Sequence, residues 1–385
     1  MRNTEFGFGD TGQQVAPHRP RRILLLARGG AIDGSQRQVG YLVRELDRTR
    51  YEPVVLLDRP GPTTDFLRRF DVEPEVLPLR AWRSFPTGLF RHVDARRLCR
   101  LAERRGVDLV HASDMWKAGY MHFVARHVGI PSVLHIRGPV APRDIRKHRV
   151  ARCSAVIAIA ERYRLDLLAS GISPLSVEVI DDAVDTDSFR PALAGREFLK
   201  ERYGANGRVL VGLVGRIEPF KRVLEFLEVI APLARDPRRS ATYLVIGRAK
   251  DKDYYQAVQA SVKRLGLAES VILTGHCGEI PQALSALDIL VTMSGGSVMF
   301  EAMACAKCVL SVRLDERPSV HTRHDETAWC VTTDSPEPAT EALARLIDDE
   351  PLRLRLGQAA REWVACHLSP AGMAEKTQAL YDRLV

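Results

Sequence analysis

Short apolar segments alternate with helical patterns along most of this 385-residue chain. Such alternation is typical of α/β proteins, in which helices cover both faces of a sheet of parallel strands. The pattern is interrupted between residues 186 and 207, which include polar, Pro- and Gly-containing stretches, and it then restarts. The sequence therefore predicts two similar layered units joined near residue 190.

Hydrophobic periodicity predicts the individual elements. Strands are expected at 23–27, 53–57, 109–111, 132–136, 155–159 and 177–180, and then at 209–214, 242–246, 271–273, 289–292 and 309–312. Helices are expected at 35–48, 94–105, 116–128, 161–170, 223–233, 254–265, 279–286 and 298–305, with three more after residue 339. Ligands of open parallel sheets bind beyond the carboxyl ends of the strands, so two facing units would form a cleft.

Composition and charge limit the class of protein. The net charge of +8 suits an anionic ligand or surface, although solvated Arg side chains would explain it equally well. No zinc-finger spacing, RNA-recognition signature or basic heptad region supports nucleic-acid binding. Seven scattered cysteines, a single CxxC at 305–308, and the lack of an apolar signal core or membrane span predict a reduced, cytoplasmic protein without a metal site.

The most informative stretch is GGSVMFEAMACAKCVLSV, residues 295–312. Gly295 and Gly296 predict a turn, Ser297 predicts an N-cap, and a helix is expected from Val298 onward. The amino end of a helix presents unpaired N–H groups and the positive end of the helix dipole, which suits a diphosphate. Most such helices bind nothing, so this prediction needs support from other parts of the chain.

Three motifs in the same order resemble those of the retaining glycosyltransferases of family 4. Residues 179–191, VIDDAVDTDSFRP, resemble the inter-domain signature vipnGvDtdxFxP of that family. Residues 211–221, VGLVGRIEPFK, resemble vGRlxpxKg, and residues 301–308, EAMACAKC, resemble EAmAxGxPV. The resemblance implies the GT-B fold, which consists of two Rossmann-like, doubly wound parallel-sheet domains facing a central cleft.

The resemblance also implies a domain plan and a reaction. We expect a mobile tail at 1–19, an acceptor domain at 20–190, a nucleotide-sugar donor domain at 191–368 and a C-terminal helix at 369–385 that crosses back to the N-terminal domain. A sugar would pass from a nucleoside-diphosphate sugar, with UDP or GDP, to an acceptor hydroxyl with retained anomeric configuration. The nucleotide sugar is a substrate, and no further cofactor or metal is implied.

Arg216 and Lys221 are the predicted catalytic cations. Arg216 follows the strand at 209–214 and Lys221 begins the next helix, so both side chains can point beyond the strand ends. A fixed guanidinium and a mobile ammonium suit a pyrophosphate leaving group, on which negative charge grows in the transition state. The resemblance implies this role for the pair, and it implies that Glu301 accepts hydrogen bonds from the donor ribose.

The remaining predicted site residues lie at strand ends and in glycine loops. His135, in the strand at 132–136, would lie beside the transferred sugar as a third catalytic residue; His111 is the alternative, and a structural role is equally compatible with either. The other residues expected to contact the nucleotide sugar are Gly34, Ser35, Gly215, Gly247 and His276.

Three positions depart from the family pattern. The first of the two Glu residues typical of the family is missing, because Met293 stands eight residues before Glu301. The usual Asn-Gly of the inter-domain signature is Asp182-Ala183, and Arg222 occupies a position where Gly is common. These departures leave open a second hypothesis, a catalytically impaired, nucleotide-binding partner subunit. A nucleotide-sugar epimerase of the same fold is a third.

The sequence does not identify the acceptor, which could be a glycan, a lipid-linked glycan or a small molecule, as in cell-envelope polysaccharide or glycoconjugate synthesis. The segment 80–105 combines many Arg residues with Trp82, Phe85, Leu89 and Phe90. Such a segment could contact the anionic inner face of the cytoplasmic membrane, or it could be an ordinary helix with solvated arginines.

Overall fold

The structure, a computed structural model, describes residues 19–83, 90–192, 194–206, 209–314 and 321–385. The predicted tail, apart from Arg19, lies outside the described residues, and so do Phe85 and Leu89. The strands are β1 (Arg21–Ala27), β2 (Tyr51–Leu57), β3 (Glu75–Val76), β4 (Leu109–Ala112), β5 (Ser132–Ile136), β6 (Ala155–Ala158), β7 (Val177–Val179), β8 (Val209–Val214), β9 (Ala241–Ile246), β10 (Val271–Gly275), β11 (Ile289–Thr292), β12 (Cys308–Arg313) and β13 (Trp329–Thr332).

The α-helices of the described residues follow the predicted alternation. They are α1 (Gly34–Glu45), α2 (Pro62–Arg68), α3 (Arg91–Arg104), α4 (Ala118–Val128), α5 (Pro142–Lys147), α6 (Glu161–Ala169), α7 (Ala194–Tyr203), α8 (Val223–Ala234), α9 (Lys252–Arg264), α10 (Ile280–Ala286), α11 (Ser297–Ala304), α12 (Glu337–Asp348), α13 (Glu350–His367) and α14 (Pro370–Asp382). None of these helices is long and apolar enough to cross a membrane.

The chain divides into two compact units. The first takes the residues up to Ile157 together with Ser170–Glu178 and Ala379–Val385, and the second takes Ala158–Ala169 and Val179–Gln378. The last residues of the chain therefore belong to the first unit. The assignment of acceptor and donor binding to the two units stays a prediction.

Each unit is built on a parallel sheet, as predicted. The first sheet has seven strands in the order β3-β2-β1-β4-β5-β6-β7, and the second has six in the order β10-β9-β8-β11-β12-β13. In each sheet the strand order reverses beside the first strand, between β1 and β4 and between β8 and β11. Such a reversal is the place where ligands bind in doubly wound folds.

Most of the strands are buried on both faces, which explains their continuous apolar sequences. In β8, Val209, Val211 and Leu213 belong to one core cluster, whereas Leu210 and Val214 belong to the cluster on the other face. All five side chains are at most 6% exposed. A strand of this kind can be recognised from sequence because no position is left for a polar residue.

Five elements were not predicted, namely β3, β13 and the helices α2, α5 and α7. β3 is only two residues long, and β13 has partly exposed residues, so neither produces a clear periodic signal. Helix α7 lies within the stretch that we interpreted as an irregular link, and this interpretation is wrong. The helix packs on α10, where Leu199 is fully buried and Gly195 lies against Ser285, so tertiary contact supplies what the local pattern does not show.

Candidate functional site

The junction between β8 and α8 brings two of the predicted site residues together. β8 ends at Val214, and Gly215 and Arg216 follow it. A short 3-10 helix, Pro219–Lys221, then precedes α8. The chain folds back here, so that a Cβ built on Gly215 would lie 3.0 Å from Cε of Lys221. The lysine stem therefore lies over the glycine that ends the strand.

Arg216 is held by an acidic residue that the sequence did not single out. Its Nη2 atom lies 3.1 Å from Oε1 of Glu218, and the guanidinium is half exposed. The other oxygen of Glu218 is 3.1 Å from Nζ of Lys250, which follows β9. Glu218 is mostly buried and joins cations from two neighbouring strand ends, so it fixes Arg216 while leaving its outer face open to a ligand.

The turn between β11 and α11 has the predicted glycines, but the predicted cap is wrong. Gly296, not Ser297, is the N-cap, and Ser297 is the first residue of the helix. Gly296 has φ 104° and ψ 173°, a backbone conformation that side-chain-bearing residues rarely adopt. No side chain caps the helix. Its first N–H groups therefore have no side-chain acceptor at this end, which suits an anion.

Lys221 reaches this turn from the neighbouring strand end. Its Nζ atom is 3.4 Å from Oγ of Ser294 and 3.6 Å from the position that a Cβ on Gly296 would occupy. Burial, and then the charge of Arg216, lower the pKa of Lys221, whereas Glu218 raises it. The ammonium thus lies at the reversal of strand order between β8 and β11, where an anionic ligand would stabilise its charge.

Helix α11 carries two further predicted residues. Val298 is in its first turn and packs partly buried against the core. Glu301 lies in the middle of the helix and is 8% exposed, so it is not a surface carboxylate placed near the helix dipole. Its predicted contact with the donor ribose stays a prediction.

The loops after β9 and β10 carry Gly247 and His276. A Cβ on Gly247 would lie 1.9 Å from the carbonyl oxygen of Gly215, so backbone packing within the unit already requires this glycine. His276 follows β10 and is exposed, whereas its neighbour Cys277 is buried in the core. Of these two residues, only His276 has a side chain that is exposed and so accessible to the base of a nucleotide.

The other predicted residues belong to the first unit. Gly34 is the first residue of α1, and Ser35 donates its backbone N–H to Asp33, the N-cap of that helix, at 3.2 Å. The Ser35 hydroxyl lies 3.1 Å from the same carboxylate. Helix capping is sufficient to explain why Asp33 and Ser35 stand at the start of α1. The role of Gly34 and Ser35 in donor binding stays a prediction.

His135 and His111 form a stacked pair of imidazoles with ring centroids 5.5 Å apart. Nδ1 of His135 accepts a hydrogen bond from Arg137 at 3.2 Å, which places its proton on Nε2, and Nδ1 of His111 is 2.6 Å from the Tyr381 hydroxyl. Burial lowers the pKa of His111 to about 3 and, with Arg137 and His111, holds that of His135 well below its ordinary value. Both rings are therefore neutral.

The two departures near the site are adjacent in space. Met293 is 5% exposed and belongs to the core, so no acidic side chain occupies the position of the missing Glu. Nη1 of Arg222 donates to the Met293 carbonyl oxygen at 3.4 Å, and Nε pairs with Glu225 at 3.1 Å. Arg222 has φ 56°, which explains why glycine suits this position. Its guanidinium braces the loop after β11.

Sequence reasoning missed Glu218, Lys250 and Ser294. Their spacing along the chain carries no motif, because the two loops and the turn that bring them together follow three different strands. The only available signal was position: each lies within a few residues of the carboxyl end of a parallel strand, where side chains of a doubly wound sheet converge.

Comparisons with known proteins show the family to which the chain belongs. A family profile described as "Glycosyl transferases group 1" matches residues 195–363, and one described as "Glycosyltransferase Family 4" matches residues 32–188. The chain is 28% identical to a 2-deoxystreptamine glucosyltransferase of Streptomyces kanamyceticus, over 74% of this chain and 80% of that protein. It is 27% identical to a GDP-mannose-dependent phosphatidylinositol monomannoside mannosyltransferase of Mycobacterium tuberculosis, over 87% and 81%.

Solved structures show the same fold. HepE of Anabaena, crystallised with UDP and glucose, superposes with a TM-score of 0.80 over 94% of this chain and 99% of its own, at 19% identity. WaaG, a glycosyltransferase of lipopolysaccharide biosynthesis, superposes with a TM-score of 0.69 over 92% and 98%, at 14% identity.

Proposed function

Because this chain belongs to the family 4 glycosyltransferases of the GT-B fold, we propose that it transfers a sugar from a nucleoside-diphosphate sugar with retention of anomeric configuration. One observation carries the proposal. The ammonium of Lys221 lies beside the open amino end of α11, at the reversal of strand order in the second unit, and the half-exposed guanidinium of Arg216 follows the same strand as Lys221. This combination of two cations and backbone N–H groups suits a diphosphate.

The reaction uses these groups as the leaving group departs. When the bond between the anomeric carbon and the diphosphate oxygen breaks, negative charge grows on that oxygen, and Arg216, Lys221 and the N–H groups of residues 295–297 stabilise it. The acceptor oxygen bonds to the anomeric carbon from the same face. Its proton passes to the departing diphosphate, so the proposal needs no side-chain base and no metal.

Two observations support this description. The Asp185-Thr-Asp187 string could be mistaken for a metal site, but Asp185 accepts hydrogen bonds from Asp187 N and Ser188 Oγ, both at 3.2 Å, and so orders its own turn. The proposal also includes His135 as a contact of the transferred sugar, since its Nε2–H has no partner within the described residues.

The acceptor is proposed only by class. The names of the relatives mention an aminocyclitol and a phosphatidylinositol mannoside, and both offer ring hydroxyls as acceptors. We propose that this chain likewise glycosylates a hydroxyl of a glycan, a lipid-linked glycan or a small polyol.

A second candidate is a nucleotide-binding partner subunit without turnover. The buried Met293 favours it, because a thioether sulfur is only a weak acceptor and cannot replace a carboxylate that accepts hydrogen bonds from sugar hydroxyls. The two candidates share the diphosphate site and differ only in catalysis.

The test combines binding and turnover. We expect Arg216→Ala with Lys221→Ala to weaken the binding of UDP or GDP by roughly 10²- to 10⁴-fold, because two charge-assisted interactions are lost. Calorimetry measures this, and Arg238→Ala with Lys263→Ala, two exposed cations elsewhere in the unit, is the control. Unchanged affinity in the first variant would refute the proposed site.

Turnover is then measured with a panel of UDP and GDP sugars, a cell-envelope extract as the source of acceptors, and EDTA in a parallel series. We expect sugar transfer that EDTA does not abolish, and reduced kcat for His135→Asn with diphosphate affinity retained. Tight diphosphate binding without hydrolysis or transfer would favour the partner subunit.

A further inference from the structure

Helix α3 of the first unit has a solvent-facing row of arginines. Its sequence, RHVDARRLCRLAER, contains five Arg and two acidic residues. Arg96, Arg97, Arg100 and Arg104 are all exposed and lie within one face at helical spacing, and we call them the α3 arginine face. The opposite side of the helix anchors it to the unit through buried residues, among them Leu98 and Ala102.

The charge of this face is not neutralised within the described residues. None of its four arginines forms an ion pair or side-chain hydrogen bond there. Of the two acids of the helix, Asp94 is buried and 2.8 Å from Arg80, whereas the exposed Glu103 borders the row near its end and lies 3.8 Å from His127. Like charges three and four residues apart repel in a helix, so the stability of the fold does not explain the row.

Two exposed apolar side chains continue the same face toward the start of the helix. Phe90 is 54% exposed and Val93 is 44% exposed. They precede Arg97 by seven and four residues, which places them in line with the arginines. The result is an extended surface with guanidinium groups along most of its length and apolar groups at one end.

We propose that the α3 arginine face, with Phe90 and Val93, binds the surface of an anionic lipid bilayer. The first and last of the four arginines are eight residues apart, about 12 Å along the helix, so the group forms a row that suits many lipid headgroups together. Each arginine near an anionic surface strengthens binding by about fivefold, and exposed apolar side chains gain by entering the headgroup region. A nucleic-acid backbone would use the arginines but would offer nothing to Phe90 and Val93.

The proposal is tested by flotation of the full chain with vesicles. One set contains phosphatidylcholine alone, and the other contains equal parts of phosphatidylcholine and phosphatidylglycerol. We expect binding to the anionic vesicles at low salt and release at high salt, because charge attraction at a surface is screened. The variant Arg96→Gln, Arg97→Gln, Arg100→Gln should bind about a hundredfold more weakly.

The control variant, Arg190→Gln, Lys263→Gln, Lys376→Gln, loses the same charge from exposed positions of the second unit and should keep its binding. Equal weakening in both variants would show general charge attraction and overturn the proposal, and so would an absence of binding to anionic vesicles. Tighter binding to a single-stranded RNA than to anionic vesicles would also overturn it. Calorimetry with UDP or GDP in the absence of vesicles should give the same affinity for both variants, which separates this inference from the proposed transfer reaction.

Discussion

At the scale of single residues, the sequence predicts the two cations but not the side chains that surround them. Arg216 and Lys221 were predicted from the motif GRIEPFK. The structure places both at the junction after β8, with the Lys221 ammonium beside the α11 turn. Glu218 lies in the same motif but was not predicted. Its role depends on Lys250 from another loop, a contact that no local pattern records.

The buried ammonium of Lys221 leads to a prediction about pH. Burial and Arg216 lower its pKa, so the donor-free protein loses this charge at a lower pH than an ordinary lysine would. We expect the donor KM to rise as the pH increases from about 7 toward 10. In Lys221→Arg the guanidinium keeps its charge, so this rise should disappear, while the KM at neutral pH increases roughly tenfold through altered geometry.

Steady-state kinetics over this range measure the effect, and Lys263→Arg, an exposed lysine of the second unit, is the control. A donor KM independent of pH in the unaltered protein would contradict the prediction. If the donor KM still rises at alkaline pH in Lys221→Arg, a group other than Lys221 must cause the pH dependence.

At the scale of elements, the amino end of α11 is the most consequential feature. The sequence predicted a turn followed by a helix, and the structure confirms both. The cap differs because Gly296 adopts a conformation in which a serine would be strained, so the helix begins one residue earlier than predicted. The first backbone N–H groups of α11 therefore lie near Lys221, and no side chain caps this end of the helix.

We expect Gly296→Ala to raise the donor KM by roughly tenfold or more. Alanine at φ 104° is strained by about 1–3 kcal/mol, which shifts the turn, and its Cβ would fill the space beside Nζ of Lys221. Gly266→Ala is a matched control, since Gly266 has φ 69° with no atom near the added Cβ. Thermal unfolding should show loss of stability in both variants. A similar rise of KM in both would mean that strain alone, not the turn, affects the donor.

At the scale of the whole molecule, the last residues of the chain, 379–385, belong to the same unit as its N-terminal part. The carboxylate of Asp382 accepts hydrogen bonds from Arg21 at 3.0 Å and from Arg50 and Tyr51 at 2.5 Å. Tyr381 beside it reaches His111 in β4. The end of α14 is thus bound to three strands of the first sheet.

Asp382→Asn should lower the free energy of unfolding by about 1 kcal/mol at neutral pH, because the carboxylate is partly exposed and its interactions are screened. Burial opposes its charge, but hydrogen bonds from Tyr51 and Arg50 outweigh this and lower the pKa of Asp382. A lowered pKa contributes stability above the ordinary carboxyl range that is lost as the pH falls through the folded value. The difference between the two proteins should therefore shrink in acid.

Urea unfolding at several pH values measures this difference. Asp65→Asn, which removes an exposed partner of Arg68 on α2, is the control and should have little effect. A difference that grows as the pH falls would contradict the assigned sign.

The sequence predicted most strands and helices because strands buried on both faces leave continuous apolar runs, and amphipathic helices leave a period of 3.6. It did not reveal α7, whose stability comes from contact with α10, or β13 at the sheet edge. The predicted site residues Gly34 and Ser35 show that a sequence pattern can also be explained without a ligand. A glycine and a serine at a helix start satisfy local capping whether or not they also contact a ligand.

By itself the sequence determined the layered α/β class, the two sheets and the candidate cations, because these depend on side-chain pattern within short segments. The tertiary structure decided which distant residues meet: Glu218 with Lys250, Lys221 with Ser294, and Arg222 with Met293. Each of these contacts joins loops that follow different strands. Their proximity arises from strand order in the sheet, and strand order is set by packing of the whole unit.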